Sequence, residues 1–469
     1  MKKIKIIAGK EFRSGLRSPA WYLAGGLFLL LTLLILISGY RNYRQRSQER
    51  AAAVSEQRSR WLNQDPKHPH IAAHFGNFAF MPQTPLSFFD HGLDDFTGTV
   101  AYLEPHRQNE FAFKPAESAG AVSRFGVLTA SMMLQVIFPL MIIFISFDGF
   151  SREFEQQTIQ LLYSQGISFR QLYLGKFYGL GLLLFLLLIL VLLILAILAG
   201  TDIAQWSRIL LLGGMYGSYF AVILALSLLC SAYLRNGRLT LLLLTGLWVM
   251  ITIVLPKWAA STGDGLFRLP TKNTFDAAIH HDLLNGINGH DPSGARAQKL
   301  KNELLRKYNV DTVAKLPFNF DGYIMEAGEE YSSRVYDRHF AQLQQTLIRQ
   351  NQLTQWCGLI DPFIAVNGLS MALAGTDYYS HLAFQRQAEQ YRRHFVQQMN
   401  HEMEVHSKMG DWDYRSDRRV FAAVPPFHYH PPGLMTSVSH QLPGMISLLI
   451  WSMLIGWFVQ RYPVYLNHA

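Results

Sequence analysis

Hydrophobic and polar positions along this chain segregate into long blocks instead of alternating at short range. No Lys, Arg, Asp or Glu lies between Arg17 and Arg41, Arg124 and Asp148, Lys176 and Asp202, Arg208 and Arg235, or Arg238 and Lys257. A sixth gap ends at Arg461, with its apolar part at residues 442–459. A bilayer core of about 30 Å is crossed by about 20 helical residues. The blocks therefore predict six transmembrane helices, at 21–40, 126–147, 177–199, 209–233, 239–256 and 442–460. Residues 180–198 are almost purely Leu, Ile, Val, Ala and Phe, and helices in soluble cores rarely run so far without a charge. The first apolar stretch is too long for the hydrophobic region of a signal peptide, and no small-residue cleavage site follows it. It reads as a retained anchor.

Six spans put both termini on one side, with residues 1–20, 148–176, 234–238 and 461–469. These carry 12 Lys or Arg and 4 Asp or Glu, whereas the rest of the chain carries 30 and 29. Nearly all of the net charge of +9 thus sits on one face, as expected for the cytoplasmic side. Arg41, Arg44, Arg46 and Arg50 run against this rule, but they open a long loop, where the rule weakens. The expected location is the inner (plasma) membrane, multi-pass, with both termini cytoplasmic. The basic balance reflects orientation and implies no nucleic acid.

Two extracytoplasmic segments remain, 41–125 and 257–441. The first continues as a helix and then turns loop-like through Asp65-Pro66 and from Pro82 to Pro85. The second holds polar helical stretches near 322–356 and 377–408, with Asp377 as N-cap and Gly410 as stop. Between them, CGLIDPFIAVNGLSMALAGTD is apolar enough to lie against the bilayer or another subunit. The fold class is an all-α polytopic membrane protein, with six transmembrane helices and two mainly helical extracytoplasmic domains.

Half the residues are hydrophobic and 16% are charged, which suits spans joined to globular parts. Cys230 lies within the expected fourth span and Cys357 in the second outer segment, so no disulfide between them is expected. Gly213 and Gly217, like Gly175 and Gly179, have the G-x-x-x-G spacing that lets helices approach closely. Charge is essentially absent within the spans, which disfavours proton-coupled transport. Sixteen of the 17 histidines lie in the outer segments. His68-Pro-His70 and His428-Tyr-His430 are weak candidate chelators of a transition metal. Collection of His on polar surface explains them better.

On the cytoplasmic side, Ile4, Ile7, Phe12 and Leu16 share one face of an N-terminal helix and Lys and Arg the other, as in a helix lying in the membrane interface. Residues 148–176 read FDGFSREFEQQTIQLLYSQGISFRQLYLGK from Phe147, longer than a tight connection needs. An acidic start precedes apolar residues with no local core to cover them.

These two stretches resemble the ABC-2 type of ABC transporter permease. KEFRSGLRSP is similar to the interfacial helix that precedes the first span in that family. SREFEQQTIQLLYSQGISFRQLYLGK is similar to the family's segment after the second span, although Gln157 stands where Gly usually precedes the Thr. DPFIAVNGLSMALAGTD and FQRQAEQYRRHFVQQMN resemble segments of a branch with large extracytoplasmic domains of unknown function. The resemblance implies that 151–166 is a coupling helix docking on an ATPase, with Arg152, Glu153, Phe154, Glu155, Thr158, Leu162 and Gly166 as contacts. Arg235 and Arg238 in the next cytoplasmic loop would add a secondary contact. It also implies a second permease copy or a related permease, in a homo- or heterodimer within membrane lipid. The chain has no phosphate loop: Glu11 follows Gly9-Lys10, and Phe177 follows Gly175-Lys176. ATP and Mg are therefore expected on the partner ATPase, no cofactor on this chain, and no catalysis by it. The alternative is a membrane-anchored sensor or scaffold with extracytoplasmic ligand- or metal-binding domains. A sensor of that kind would need a cytoplasmic output domain, which the expected topology lacks.

Overall fold

The computed structural model describes residues 1–106, 108, 111–112, 128–200, 202–287 and 294–466. Helix α1 (Lys2–Arg17) ends at Ser18, whose extended backbone precedes Pro19. A residue before proline is pushed out of the helical region, so chain direction changes there. Helix α2 (Pro19–Leu62) begins with that proline and runs 44 residues without interruption, past the expected span and into the outer region. Helix α3 (Pro69–Phe75) follows.

Next comes an antiparallel sheet of β1 (Asn77–Phe80), β2 (Val100–Leu103) and β3 (Phe111–Ala112), with Asn77 opposite Leu103 and Phe80 opposite Val100. The sequence reading expected loop here. The strands have four residues or fewer, too few for an alternating pattern to stand out. They hold because Ala79, Ala101 and Leu103 pack on Phe384 and Ala388 of the second outer segment.

The remaining helices, in chain order, are α4 (130–146), α5 (Ser151–Glu155), α6 (Thr158–Ser164), α7 (Phe169–Ala199), α8 (Ile203–Leu234), α9 (Gly237–Leu266) and α10 (Lys272–Leu284). Then come α11 (Ala295–Tyr308), α12 (Phe320–Trp356), α13 (Pro362–Ala374), α14 (Tyr378–His406), α15 (Arg418–Ala423), α16 (Leu434–Ser439) and α17 (Leu442–Leu466). Asp377 caps α14, its side chain accepting from Ser380 N. Among the described residues, six helical segments are long and apolar enough to cross a membrane: α2, α4 with α5, α7, α8, α9 and α17. The protein is an all-α polytopic membrane protein.

Leu23, Leu27, Leu30 and Leu34 of α2, with Leu186, Leu190, Leu193 and Ile197 of α7, stay exposed and form an apolar belt of the kind that suits lipid. Phe28, Phe138 and Phe220 pack inside, Phe138 stacking on Phe220 with ring centroids 4.2 Å apart. Two spans carry a π-helical turn, Met133–Ile137 in α4 and Met250–Val254 in α9. Each turn is followed two residues later by a proline, Pro139 or Pro256. A proline lacks the N–H for the helical ladder, and a π turn shifts the register around that gap. Pro256 therefore does not end the fifth span as the sequence reading expected; the helix continues to Leu266.

The apolar helix α13 is covered by the chain's own spans: it packs against α8 and α17. Its Ser370 belongs to a buried polar chain. Gln135 donates to Tyr216 OH (3.0 Å), Tyr216 meets Ser370 Oγ (2.9 Å), and Ser370 donates to the carboxylate of Asp90 (2.5 Å). That chain ties both outer segments to α4 and α8. Farther out, Trp61 at the tip of α2 is buried among Phe395, Val396 and Phe421, and its indole donates to Phe421 O.

Candidate functional site

The face bearing α1 also carries the connection from α4 to α7. Helices α5 and α6 form this connection, divided by Gln157 in the left-handed conformation (φ 57°, ψ 15°). Glycine adopts that conformation freely, whereas another residue spends about 1 kcal/mol or more on it. Gln157 thus holds the turn at an energetic cost. Gly166, at φ 67°, makes the second turn, and Ser168 starts α7 with a reciprocal capping box to Gln171.

At the centre of this face lies Lys176, 4% exposed. Its ammonium reaches Glu153 at 2.8 Å and Glu11 at 3.2 Å, and sits over the ring of Phe150. Three elements, α5, α1 and α7, are joined through one cation. Burial raises the pKa of Glu11, but the charges of Lys176 and Lys10 outweigh it and hold the carboxyl below its ordinary value. Around this hub, Glu155 accepts from Gly237 N (2.9 Å) at the start of α9. Ser231 Oγ accepts from the backbone N–H of Phe150 and of Ser151, each at 3.0 Å. The guanidinium of Arg235 lies over the Phe154 ring, 5.0 Å from its centroid. Lys3 donates to the carbonyls of Gln165 and Gly166.

The structure thus separates the sequence-derived coupling residues into two sets. Glu153, Phe154 and Leu162 turn toward the protein's own helices, Leu162 packing on the core, while Glu155, itself exposed, bonds the start of α9. Arg152, Thr158 and Gly166 face out, joined by Leu161, which is 64% exposed. Arg235 and Arg238 are also exposed. In the sequence Leu161 and Leu162 have the same apolar character; only the helix phase tells them apart. Lys176 and Glu11 were missed because a basic residue at a span end reads as an orientation signal.

Of the glycines, Gly175 and Gly179 receive α1. A Cβ on Gly175 would lie 2.5 Å from Ile7 Cγ2, and one on Gly179 2.7 Å from Ala8 O. A Cβ on Gly213 would meet Leu192 at 2.8 Å, whereas Gly217 opens onto an apolar groove of about 310 Å³ between α7 and α8.

The residues 5–281, which hold all of this arrangement except Lys3, match the sequence family described as ABC-2 family transporter protein. The chain belongs to the ABC-2 transporter family. A chain of that family forms the transmembrane component of an ABC transporter. Residues 272–430 of this ABC-2 permease match a domain of unknown function, DUF3526, which spans α10 to α15. No curated protein matches the permease.

The weak metal candidates of the permease lie apart. His68 is buried and stacks on Trp412 with centroids 4.8 Å apart; burial, then the charge of Arg415, lowers its pKa. His428 contacts Pro426 O, and the His430 backbone pairs with Gln387; both rings are exposed. His70 belongs to a different grouping, with His74 and His106.

Proposed function

We propose that this permease takes up work from a separate ATPase subunit through the α5–α6 connection, with Arg152, Thr158, Leu161 and Gly166 as its outward contact and Arg235 and Arg238 beside it. In this reading the α1 face is cytoplasmic and the membrane is the inner (plasma) membrane. ATP and Mg reside on the partner, and the transporter contains a second permease, identical or related. The direction is export, or work on an object outside the cell. The observation that carries the reading is the hub at Lys176. The inward side of α5–α6 is bonded to α1, α7, α8 and α9, so a push on its outward side moves several spans together.

Leu161→Asp tests the docking surface. Leu161 touches no core, so the variant inserts and folds as the wild type does. Purified in mild detergent, it should retain at least about tenfold less of the ATPase that accompanies the wild type, a loss of about 1.4 kcal/mol. Normal ATPase recovery and normal transport in both Leu161→Asp and Arg152→Glu would exclude this surface.

A further inference from the structure

We propose that His70, His74 and His106 form a binding site for a divalent transition metal of the zinc type, oriented by Glu329 and joining the two outer segments. His70 and His74 are one helical turn apart on α3 and so point the same way. His106 arrives from the loop after β2. The Nε2 atom of His74 is 3.2 Å from Nε2 of His70 and 3.1 Å from Nε2 of His106. The ligating atoms of all three lie within 4.8 Å of one another.

The two spacings at His74 suit one central ion. Two imidazole nitrogens at about 2.0–2.1 Å from zinc, with the angles of a four-coordinate site, stand about 3.3 Å apart. Glu329 faces Nδ1 of His106, which leaves its Nε2 turned toward His74. A cation takes one lone pair from each of the three rings at once. Imidazole donors select zinc, copper or nickel over magnesium or calcium.

Glu329 supplies the outer support that ligating histidines characteristically have. It is buried and grips His106 twice, through Nδ1 and through the backbone N–H at 3.0 and 2.9 Å. His106 is held there at φ 70°, a conformation costly for a non-glycine residue and one that persists only when neighbours enforce it. Glu329 lies on α12, within the domain of unknown function, while the three histidines lie in the first outer segment. His74 reaches the surface, and His106 and Glu329 border a cavity of about 680 Å³, so an ion has a route in.

The test uses the full chain, purified in detergent with a tag free of histidine and stripped by chelator. Zinc sulfate is then titrated against a competing chelator. The expected result is one tightly held zinc per chain. His74→Ala, at an exposed position that folding does not need, should weaken it at least about 100-fold, and Glu329→Gln by about 10–100-fold. His428→Ala with His430→Ala should leave it unchanged. Cobalt should give the absorption of a four-coordinate site in the wild type and lose it in His74→Ala. Zinc should raise the thermal midpoint of the wild type but not of His74→Ala. Absence of zinc uptake by the wild type at micromolar free metal overturns the site, as does undiminished uptake by a His74→Ala chain that melts normally.

Discussion

Lys176 concentrates more consequence than its size suggests. It is buried, with Glu11 and Glu153 as partners, and removing one member of such a group strands the others in a poor solvent for charge. Lys176→Met should therefore destabilise the protein by about 3–5 kcal/mol, whereas replacing all three charges together by Met, Gln and Gln should cost far less. Thermal unfolding in detergent distinguishes the two. The pH profile has a definite sign. Glu11 titrates below its ordinary 4.5 in the folded state, so its contribution is present above that value and is lost as pH falls through the lowered pKa. In Lys176→Met that acid-side loss should shrink. Identical melting of Lys176→Met and wild type would remove the hub from the structural account.

At the scale of elements, the seat of α1 on α7 holds the basic N-terminal helix against the start of the third span. The two glycines of α7 permit it, since any side chain at Gly175 occupies the space of Ile7. Gly175→Leu should lift α1 away and let it unfold locally, so that trypsin cleaves at the already exposed Lys10 and Arg13 at least about tenfold faster than in the wild type at equal stability of the remaining spans. Unchanged digestion would mean that α1 is held by its polar bonds alone. The spans themselves were legible in the sequence because lipid excludes charge over a fixed thickness, which leaves long gaps in the charge pattern. The sheet was not legible: its strands are short and depend on Phe384 and Ala388, nearly 300 residues along the chain from Ala101. The inward turn of Glu153 was hidden for a related reason, since its partner Lys176 lies across a turn and a cap. His70-x-x-x-His74 was present as a spacing, but the more conspicuous His68-Pro-His70 obscured it. His106 joins only after the sheet folds the chain back.

At the scale of the molecule, the charge asymmetry and the proposed ATPase contact demand the same sidedness. With native cysteines replaced, Asp413→Cys lies on a fully exposed turn of the outer segment and Ser164→Cys on the exposed end of α6. A membrane-impermeant maleimide added to sealed cells should label Asp413→Cys and spare Ser164→Cys until the membrane is opened. The reverse pattern would invert the topology and separate α5–α6 from any cytoplasmic ATPase.

The uninterrupted course of α2 gives this arrangement a mechanical meaning. Forty-four residues at a helical rise of 1.5 Å make a rod about 66 Å long, set off from α1 at Ser18-Pro19 and anchored at its far end by Trp61. A tilt of about 10° at its Ser18 end would sweep the distant tip through about 11 Å on a rod of that length. Under the proposed coupling, such a shaft would carry movement from the α1 face to the far segment with no loop between.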